Sequence, residues 1–484
     1  MNLKVISRNV GYALLVSALF MLLSVIVSLL NGNDSALAAL LISFMITFIF
    51  GAFPFIFVRN TSEITLKDGF MIIFLSWTLS FIFGMLPYVL WGGPFTVANA
   101  WFESVSGFTT TGATILENVE NLPKSLLFWR SSTHFIGGLG VVVFLLLIIP
   151  SSSQMRFRLT NMEISSLSKE GYRTQSNNTV FIFTSVYIGI TVAAFVLYVI
   201  GGMTPFDAIC HAFSVCATGG FSTHGLSIGY FNSPFIEIVT IILMLLSSIH
   251  FGIIYLSIVN RSVKPLRNPV LRFYLGSILI VCVLVVLSLK FCGAVSTWDG
   301  AVMKGVFQVV SYSSTTGFGN ANVSLWPMFP CIIMMYMCVQ CGMAGSTTGG
   351  IKSDRAILLY KAIRRQIRRQ IYPSTVFGIK LGNRTMQDND IYPHILFVAV
   401  YFSFILISTM LCMLSGQGVN DAITGTIASL GNVGASFGDI GTYGNYNHVP
   451  TFVKFVFTAD MFMGRIEIYP VLAAISMIFS RRNR

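Results

Sequence analysis

Charge is scarce in this chain. Of 484 residues only 10% are Asp, Glu, Lys or Arg, and just 18 are acidic. A soluble domain carries roughly twice that charged fraction, so an ordinary water-soluble fold is excluded. Histidine is also rare, with six in all, and the eight cysteines (Cys210, Cys216, Cys282, Cys292, Cys331, Cys338, Cys341 and Cys412) are scattered through apolar stretches. Cys338 and Cys341 form a lone C-x-x-C without a second pair or a nearby His, which favours packing over a metal or redox centre. H-E-x-x-H, G-x-S-x-G with a triad, paired catalytic acids and a Walker loop are all missing, and no βαβ pattern follows the last apolar stretch. These absences speak against an enzyme and against a built-in nucleotide-binding module.

Apolar sequence is abundant: 54% of residues are hydrophobic, with a mean hydropathy of +0.77. A bilayer core of ~30 Å takes about 20 residues of helix. Runs of that order predict ten spans, near 10–30, 36–57, 69–90, 128–150, 179–201, 234–260, 271–291, 327–363 (interrupted), 392–415 and 451–480. The expected class is an all-α polytopic membrane protein. The first run has no small-residue cleavage site and reads as a retained helix, not a signal peptide.

Basic residues set the orientation. Lys4, Arg8, Arg59, Lys67, Arg156, Arg158, Lys169, Arg173, Arg261, Lys264, Arg267, Arg272, the block from Lys352 to Arg384, and Arg481, Arg482 and Arg484 fall on one side of this topology. They make up 24 of the 30 Lys and Arg. The positive-inside rule makes that side cytoplasmic and places both termini there. The net charge of +12 is therefore topological. Its scatter over short loops is unlike a nucleic-acid surface.

Four Thr/Gly-rich tetrads recur: Thr110-Thr111-Gly112-Ala113, Thr218-Gly219-Gly220-Phe221, Thr315-Thr316-Gly317-Phe318 and Asn432-Val433-Gly434-Ala435. Their third-position glycines are 108, 97 and 117 residues apart, a repeat of about one hundred residues. A short helix precedes each tetrad, near 96–107, 205–216, 298–313 and 419–430, too short to cross a bilayer. Thr204-Pro205 and Ser296-Thr297 read as N-caps. Six residues before the glycines lie Ser106, Ser214, Ser311 and Ala428. Thirteen before lie Asn99, Asp207, Lys304 and Asp421, with Asp299 suggesting an earlier start for the third helix. The chain divides into two N-terminal helices (1–62) and four repeats at 63–155, 156–265, 266–385 and 386–484, each a helix, a re-entrant helix, a tetrad and a second helix.

Extended backbone at membrane depth must be buried in protein or line an aqueous cavity, because lipid satisfies no N–H or C=O. The C-terminus of a short helix favours a cation, and carbonyls beyond it can replace the water around an alkali ion. The third position suits glycine where a Cβ is penalised. Four such loops in register describe a pore with pseudo-fourfold symmetry.

The interruption at Gly342-Met343-Ala344-Gly345-Ser346-Thr347-Thr348-Gly349-Gly350 cannot be steady helix. It follows the third tetrad by half a helix and reads as a flexible gate below the loops, against the alternative of a kink packed by small residues. Arg465 lies in an otherwise apolar helix, where a charge costs at least ~2.5–3.5 kcal/mol unless paired or hydrated. Near the midplane it would hydrogen-bond the 342–350 loop closed. A structural ion pair with Glu467 or Asp460 is the alternative. Arg130 has no clear role and could snorkel outward. His134 and His250 read as packing hydrogen-bonders.

The segments Glu103–Ala113, Thr218–Thr223, Thr315–Phe318, Leu430–Gly434, Gly342–Lys352 and Gly464–Glu467 resemble the Trk/Ktr/HKT superfamily of potassium transporters, and the TrkH branch in particular. The resemblance runs across essentially the whole chain, including the two extra N-terminal helices. It implies K⁺ uptake across a bacterial cytoplasmic membrane through a filter made by Thr110, Thr111, Gly112, Thr218, Gly219, Gly220, Thr315, Thr316, Gly317, Asn432, Val433 and Gly434. It also implies a homodimer and a cytosolic nucleotide-binding regulatory subunit of the TrkA/KtrA kind, with no cofactor besides the transported K⁺. Asn432-Val433 departs from the pattern by removing both threonine hydroxyls from one quarter. The tetrads are shorter than potassium-channel loops, so K⁺ and Rb⁺ should be preferred over Na⁺ and Li⁺ less stringently than in a channel.

Coupling to H⁺ or Na⁺ is the competing transport reading, because coupled carriers usually keep an intramembrane carboxylate or a broken-helix ion site. Asp207 and Asp421 fall at the outer mouth and Glu103 near a tetrad, where they concentrate cations better than they relay protons. The arginine-rich 361–372 stretch is the expected docking place of the regulatory partner, with anionic lipid as the alternative.

Overall fold

The computed structural model describes residues 2–58, 64–148, 176–375, 377–381, 384–386 and 388–480. Arg59, residues 149–175 and Arg481, Arg482 and Arg484, which carry part of the orientation argument, lie outside the described residues. So do the boundaries expected at 62/63 and 155/156.

Helices dominate. Two N-terminal helices, α1 (Leu3–Leu30) and α2 (Leu37–Phe57), pack on each other. Four stretches follow where the sequence suggests repeats; the first holds α3 (Leu66–Gly84), α4 (Leu86–Trp91), α5 (Val97–Phe108) and α6 (Lys124–Ile148). The second is α7 (Ser176–Ile200), α8 (Pro205–Ala217), α9 (Pro234–Ser248) and α10 (Phe251–Val259). The third is α11 (Pro269–Phe291), α12 (Trp298–Ser313), α13 (Met328–Gln340) and α14 (Ser353–Ile371), followed by a hairpin of β1 (Ile379–Leu381) and β2 (Arg384–Met386), paired antiparallel. The fourth is α15 (Asp388–Leu414), α16 (Val419–Gly431), α17 (Thr451–Ile466) and α18 (Ile468–Ser480). The expected 385/386 boundary thus falls inside β2.

Six of the described helices are long and apolar enough to cross a membrane, and two bent pairs raise that to eight. On α2, burial runs opposite to that of a soluble protein's helix. Along α2 the apolar residues Leu41, Met45, Phe48, Ile49, Phe53 and Phe57 are exposed, while Ser43 and Thr47 are buried. An exposed apolar face of this kind suits lipid, and buried hydroxyls satisfy themselves within the bundle: Ser43 Oγ donates to Ala39 O and Thr47 Oγ1 to Ser43 O.

The short helices α5, α8, α12 and α16 match the four expected re-entrant segments. Thr96, Thr204 and Thr297 cap the first three, accepting from the N–H three residues on. Asp299 lies in the first turn of α12, so that helix does start earlier than Lys304. The fourth begins at Gly418 without a side-chain cap.

Two expected spans are not single helices. The 234–260 run breaks between α9 and α10 with a bend of 101°, and the 451–480 run breaks at Glu467 with a bend of 110°. Glu467 sits at φ 62°, a left-handed geometry no helix interior accepts. The run at 69–90 is interrupted at Met85, where α3 meets α4, but continues as one span.

Candidate ion-conducting site

The four short helices end alike. The first tetrad residue is left-handed in every repeat: Thr110 (φ 53°), Thr218 (54°), Thr315 (57°) and Asn432 (54°). Its N–H bonds the carbonyl three residues back, at Gly107, Val215, Tyr312 and Ser429. The next N–H bonds the carbonyl five residues back, at Ser106, Ser214, Ser311 and Ala428, over 2.9–3.0 Å. This is a Schellman ending with threonine where glycine is usual. A β-branched residue at positive φ is a genuine outlier, costing of order 1–3 kcal/mol, and such strain clusters at functional sites. Asn432 tolerates the same geometry better.

The third residue is also at positive φ in all four: Gly112 (79°), Gly220 (83°), Gly317 (74°) and Gly434 (73°). These glycines close a ring. A Cβ on Gly112 would strike Gly219 O, on Gly220 Thr316 O, on Gly317 Val433 O and on Gly434 Thr111 O, each far inside the 3.0 Å that real Cβ atoms respect. Each repeat therefore presses its glycine against the second-position carbonyl of the next, and the fourth returns to the first.

Side chains brace the ring from behind. Ser106 Oγ donates to Ala113 O (2.6 Å), Ser214 Oγ to Phe221 O (2.7 Å) and Ser311 Oγ to Phe318 O (2.7 Å), always seven residues on. Ala428 offers no hydroxyl, and there Tyr446 OH bonds Gly434 O instead (3.1 Å). Asn432 Nδ2 donates to Thr111 Oγ1 (3.0 Å) and Met461 O (2.8 Å), tying the divergent quarter to the first repeat. His134 explains Gly219, since its ring fills the space a Cβ needs, stacks on Phe221 at 4.2 Å and bonds Ser214 Oγ at 2.9 Å.

All four glycines line one mouth, a cavity of about 650 Å³ counting open solvent, together with Thr114, Glu117, Arg130, His224 and Tyr443. Arg130 does not snorkel. It is buried, its Nε donates to Glu103 Oε1 at 2.7 Å, and its guanidinium covers the Phe221 ring at 4.0 Å. Its Nη1 and Nη2 reach Ser222 O and Thr114 Oγ1. Glu103 is fully buried and also accepts from Thr114 Oγ1 and Ile115 N. It therefore cannot gather cations from solvent as its sequence position suggested, because its charge is spent on Arg130. Asp207 is half-buried at the start of α8. Burial pushes its acid up, but hydrogen bonds from Thr204 and Thr223 and the nearby His211 and His224 more than offset this, leaving it below the ordinary carboxylate range. At the start of α16, burial and then the neighbouring Asp439 push Asp421 the other way.

The 341–352 segment lies under the ring. α13 stops at Cys341, whose φ is 56°. Both cysteines of the C-x-x-C are buried and free, and Cys341 Sγ donates to Cys338 O. Gly342 O accepts from Ser353 N, closing the base of the loop. Gly345 and Gly350 take positive φ of 78° and 66°, the first against the His250 ring and the second against Cys341 Sγ. Ser346 Oγ bonds Met343 O (2.6 Å) and Thr348 Oγ1 (2.8 Å). Gly349 N donates to Thr315 Oγ1 (3.2 Å) and a Cβ there would meet Gly431 O and Asn432 Oδ1. Thr347 Oγ1 donates to Cys216 O (3.0 Å) and Ser247 O (3.2 Å).

The loop also accounts for the break in α9–α10. Met343 N donates to Ser248 O, and Phe251 N donates to Gly345 O, both at 3.0 Å. The bend frees exactly those groups a straight helix would pair internally, and the loop satisfies them. Arg465 is buried on α17. Its Nη1 donates to Thr347 O at 2.5 Å and its Nη2 to Gly137 O of α6 at 2.9 Å. Of the two carboxylates considered as its partner, Glu467 pairs with Arg355 at 2.5 Å, and Asp460 accepts from Ser408 Oγ at 2.7 Å.

Three features had no local signal in sequence: the Glu103–Arg130 pair, the Arg355–Glu467 pair, and Lys352, which takes φ 76° and donates its Nζ to Thr348 O.

Comparison with known proteins gives one consistent answer. The family model TrkH, described as a cation transport protein, matches residues 36–483. The Trk system potassium uptake protein TrkH of Salmonella typhimurium is 31% identical over 487 residues, covering 99% of this chain and 100% of that protein. TrkG of Escherichia coli is 30% identical, covering 99% of each. The crystal structure of the potassium transporter TrkH from Vibrio parahaemolyticus superposes with a TM-score of 0.88 at 30% identity, covering 98% of both chains.

Proposed function

Since this chain belongs to the TrkH family of cation transport proteins, we propose that it is a multi-pass membrane protein that takes up K⁺ through a gated, four-part filter. The observation that carries this reading is the closed ring, in which four left-handed glycines each abut the next repeat's second-position carbonyl. Carbonyls so held exchange for the hydration shell of an alkali ion. Four helix C-termini converge on the ring and add the negative ends of their dipoles.

The transported ion enters the mouth, is stripped of water at the carbonyls of Thr110, Thr111, Gly112, Thr218, Gly219, Gly220, Thr315, Thr316, Gly317, Asn432, Val433 and Gly434, and passes inward. Gly342, Gly345, Ser346, Thr347, Thr348, Gly349 and Gly350 then block its path. Arg465 holds that loop in place and adds a positive charge that repels cations. Opening requires breaking the Arg465–Thr347 bond. The basic side is cytoplasmic, in a bacterial inner membrane with both termini inside, and the protein works as a homodimer under a cytosolic nucleotide-binding regulatory subunit docking on 361–372. K⁺ and Rb⁺ are preferred over Na⁺ and Li⁺, and no cofactor is involved. The other reading, coupling to H⁺ or Na⁺, gains one specific observation in the buried carboxyl of Asp460.

The deciding assay is uptake of radioactive Rb⁺ into liposomes holding the purified protein. K⁺ should compete fully and Na⁺ and Li⁺ weakly. Uptake that ignores K⁺, or equal competition by Na⁺, overturns the reading.

A further inference from the structure

Asp460 sits nine residues into α17, about 14 Å along its axis, which places it near the middle of a bilayer. It is 2% exposed. Oδ1 accepts from Ser408 Oγ of α15 at 2.7 Å, and Oδ2 has no partner among the described residues. The cations on its own helix are directed elsewhere: Lys454 donates to Asn99 Oδ1 and Asn447 O, and Arg465 reaches Thr347 and Gly137. On the elements packed around it, the ionisable groups are Tyr401 and Cys412 of α15, with Asp388, Asp390, Tyr392 and His394 toward that helix's other end. The rest are Asp421 of α16, Tyr469 of α18 and Glu103 of α5, which is paired with Arg130. No ion pair among the described residues reaches Asp460.

A carboxyl in that place either carries a proton or draws in a cation, because an isolated buried carboxylate is far too costly. One hydroxyl is too few oxygens to replace the shell of Na⁺, so the ligand that fits is a proton. Buried hydroxyls without partners among the described residues also occur on two neighbouring helices, at Thr409 of α15 and Ser429 of α16. The site also has a short link to the ring. The next residue, Met461, offers its carbonyl to Asn432 Nδ2, and Gly464, one turn on, leaves room for Asn432 Oδ1 and Leu430 O.

We propose that Asp460 is a proton-binding site through which H⁺ movement is coupled to cation passage in the fourth quarter. A proton adds from water to Oδ2, turning carboxylate to carboxylic acid. It leaves to water on the opposite side when Arg465 releases the loop and α17 shifts, restoring the carboxylate. No other bond changes and no further reactant is needed. Coupling rests on the K⁺-uptake reading, whereas proton binding at Asp460 does not.

Two measurements separate them. In liposomes loaded with a pH-sensitive dye, Rb⁺ uptake by the native protein should be accompanied by proton entry. Asp460→Asn, which keeps the shape and the Ser408 contact, should retain Rb⁺ uptake while lowering proton entry per Rb⁺ by at least about tenfold. Unchanged proton entry in Asp460→Asn, Na⁺ entry in its place, or no proton entry with the native protein overturns the coupling. Infrared difference spectra of the purified protein, native against Asp460→Asn, should contain the carbonyl stretch of one protonated acid that is lost on raising the pH. A spectrum without that band, or one in which the band never titrates, overturns proton exchange at Asp460 whether or not Rb⁺ is carried. Should Asp460→Asn fail to fold, Ser408→Ala serves in its place, with the acid band shifted in pH midpoint as the expected result and an unmoved midpoint as the contrary one.

Discussion

Arg465 Nη1 lies 2.5 Å from the carbonyl oxygen of Thr347, across 118 positions of chain. Its other terminal nitrogen holds Gly137 of α6, so one guanidinium ties the fourth repeat to the third and the first. A hydrogen bond to a charged group contributes about 1.5–3 kcal/mol, or roughly tenfold to a hundredfold in a two-state balance. Arg465→Ala should therefore raise Rb⁺ flux by about tenfold or more in liposomes, with Arg465→Lys intermediate. Unchanged flux in a stably folded Arg465→Ala removes the gate role.

Alanine at a ring glycine tests the closure directly. Gly112→Ala places a Cβ against Gly219 O at φ 79°, so both contact and backbone resist it. Rb⁺ uptake should fall by at least about a hundredfold, the effect of some 3 kcal/mol. Gly189→Ala on α7 meets nothing within 4 Å and should leave uptake unchanged. Equal tolerance at both positions would mean that the glycine ring is not the conducting constriction.

Ser106, Ser214 and Ser311 each hold the carbonyl following a ring glycine. Replacing one by Ala loses about 1 kcal/mol of bracing, so K⁺/Na⁺ discrimination should drop by about fivefold while the thermal midpoint moves little. Competition assays on the three single variants measure this. Discrimination equal to the native protein in all three shows the hydroxyls to be dispensable.

The Glu103–Arg130 pair is wholly buried. Removing one partner leaves an unpaired charge, which costs about 3–5 kcal/mol. Glu103→Gln should markedly lower the detergent-solubilised melting temperature, and the double variant Glu103→Gln with Arg130→Met should recover part of the loss. Additive losses in the double variant would show that the two do not act as a pair.

Asp207 keeps its charge because hydrogen bonds and two histidines hold its acid below the ordinary range. Its carboxylate therefore persists at every pH in which uptake is normally measured, and protonation removes it only in strong acid. Asp207→Asn should raise the half-saturating Rb⁺ concentration about twofold at low salt, with the difference vanishing at high ionic strength. A salt-independent effect would point to structural damage instead of cation attraction.

The tetrads were legible because their chemistry is local. A helix too short to span, a serine at fixed distance and a glycine at the third place all derive from one backbone conformation repeated four times. The left-handed first residue was not legible, since Thr110, Thr218 and Thr315 are residue types that avoid it and only tertiary packing holds them there. Of the breaks at Ile249–His250 and Glu467, one was hidden for a related reason. The first lies in a run whose proline, Pro234, only opens the helix, and it exists because residues 343 and 345 supply partners from another repeat; at the second, Pro470 three residues on was a signal that the continuous apolar reading passed over. The pairing of Glu103 with Arg130 joins a short helix to a long one 27 positions away, a relation that no periodicity encodes. Nor did the sequence separate Asp460 from Glu467 as neighbours of Arg465; packing alone assigns each its partner.

Gene economy of this kind alters what a point mutation does. In an assembly of four identical subunits, one changed codon strikes every quadrant at once, so a lone guanidinium beneath the axis would arrive as a belt of four. Here Arg465, Asn432 and Ala428 each occur in a single quadrant, with no counterpart forced upon the other three. A single-chain layout thus lets the Arg465 contact sit in one quadrant while all four quadrants contribute a carbonyl and a glycine to the ring.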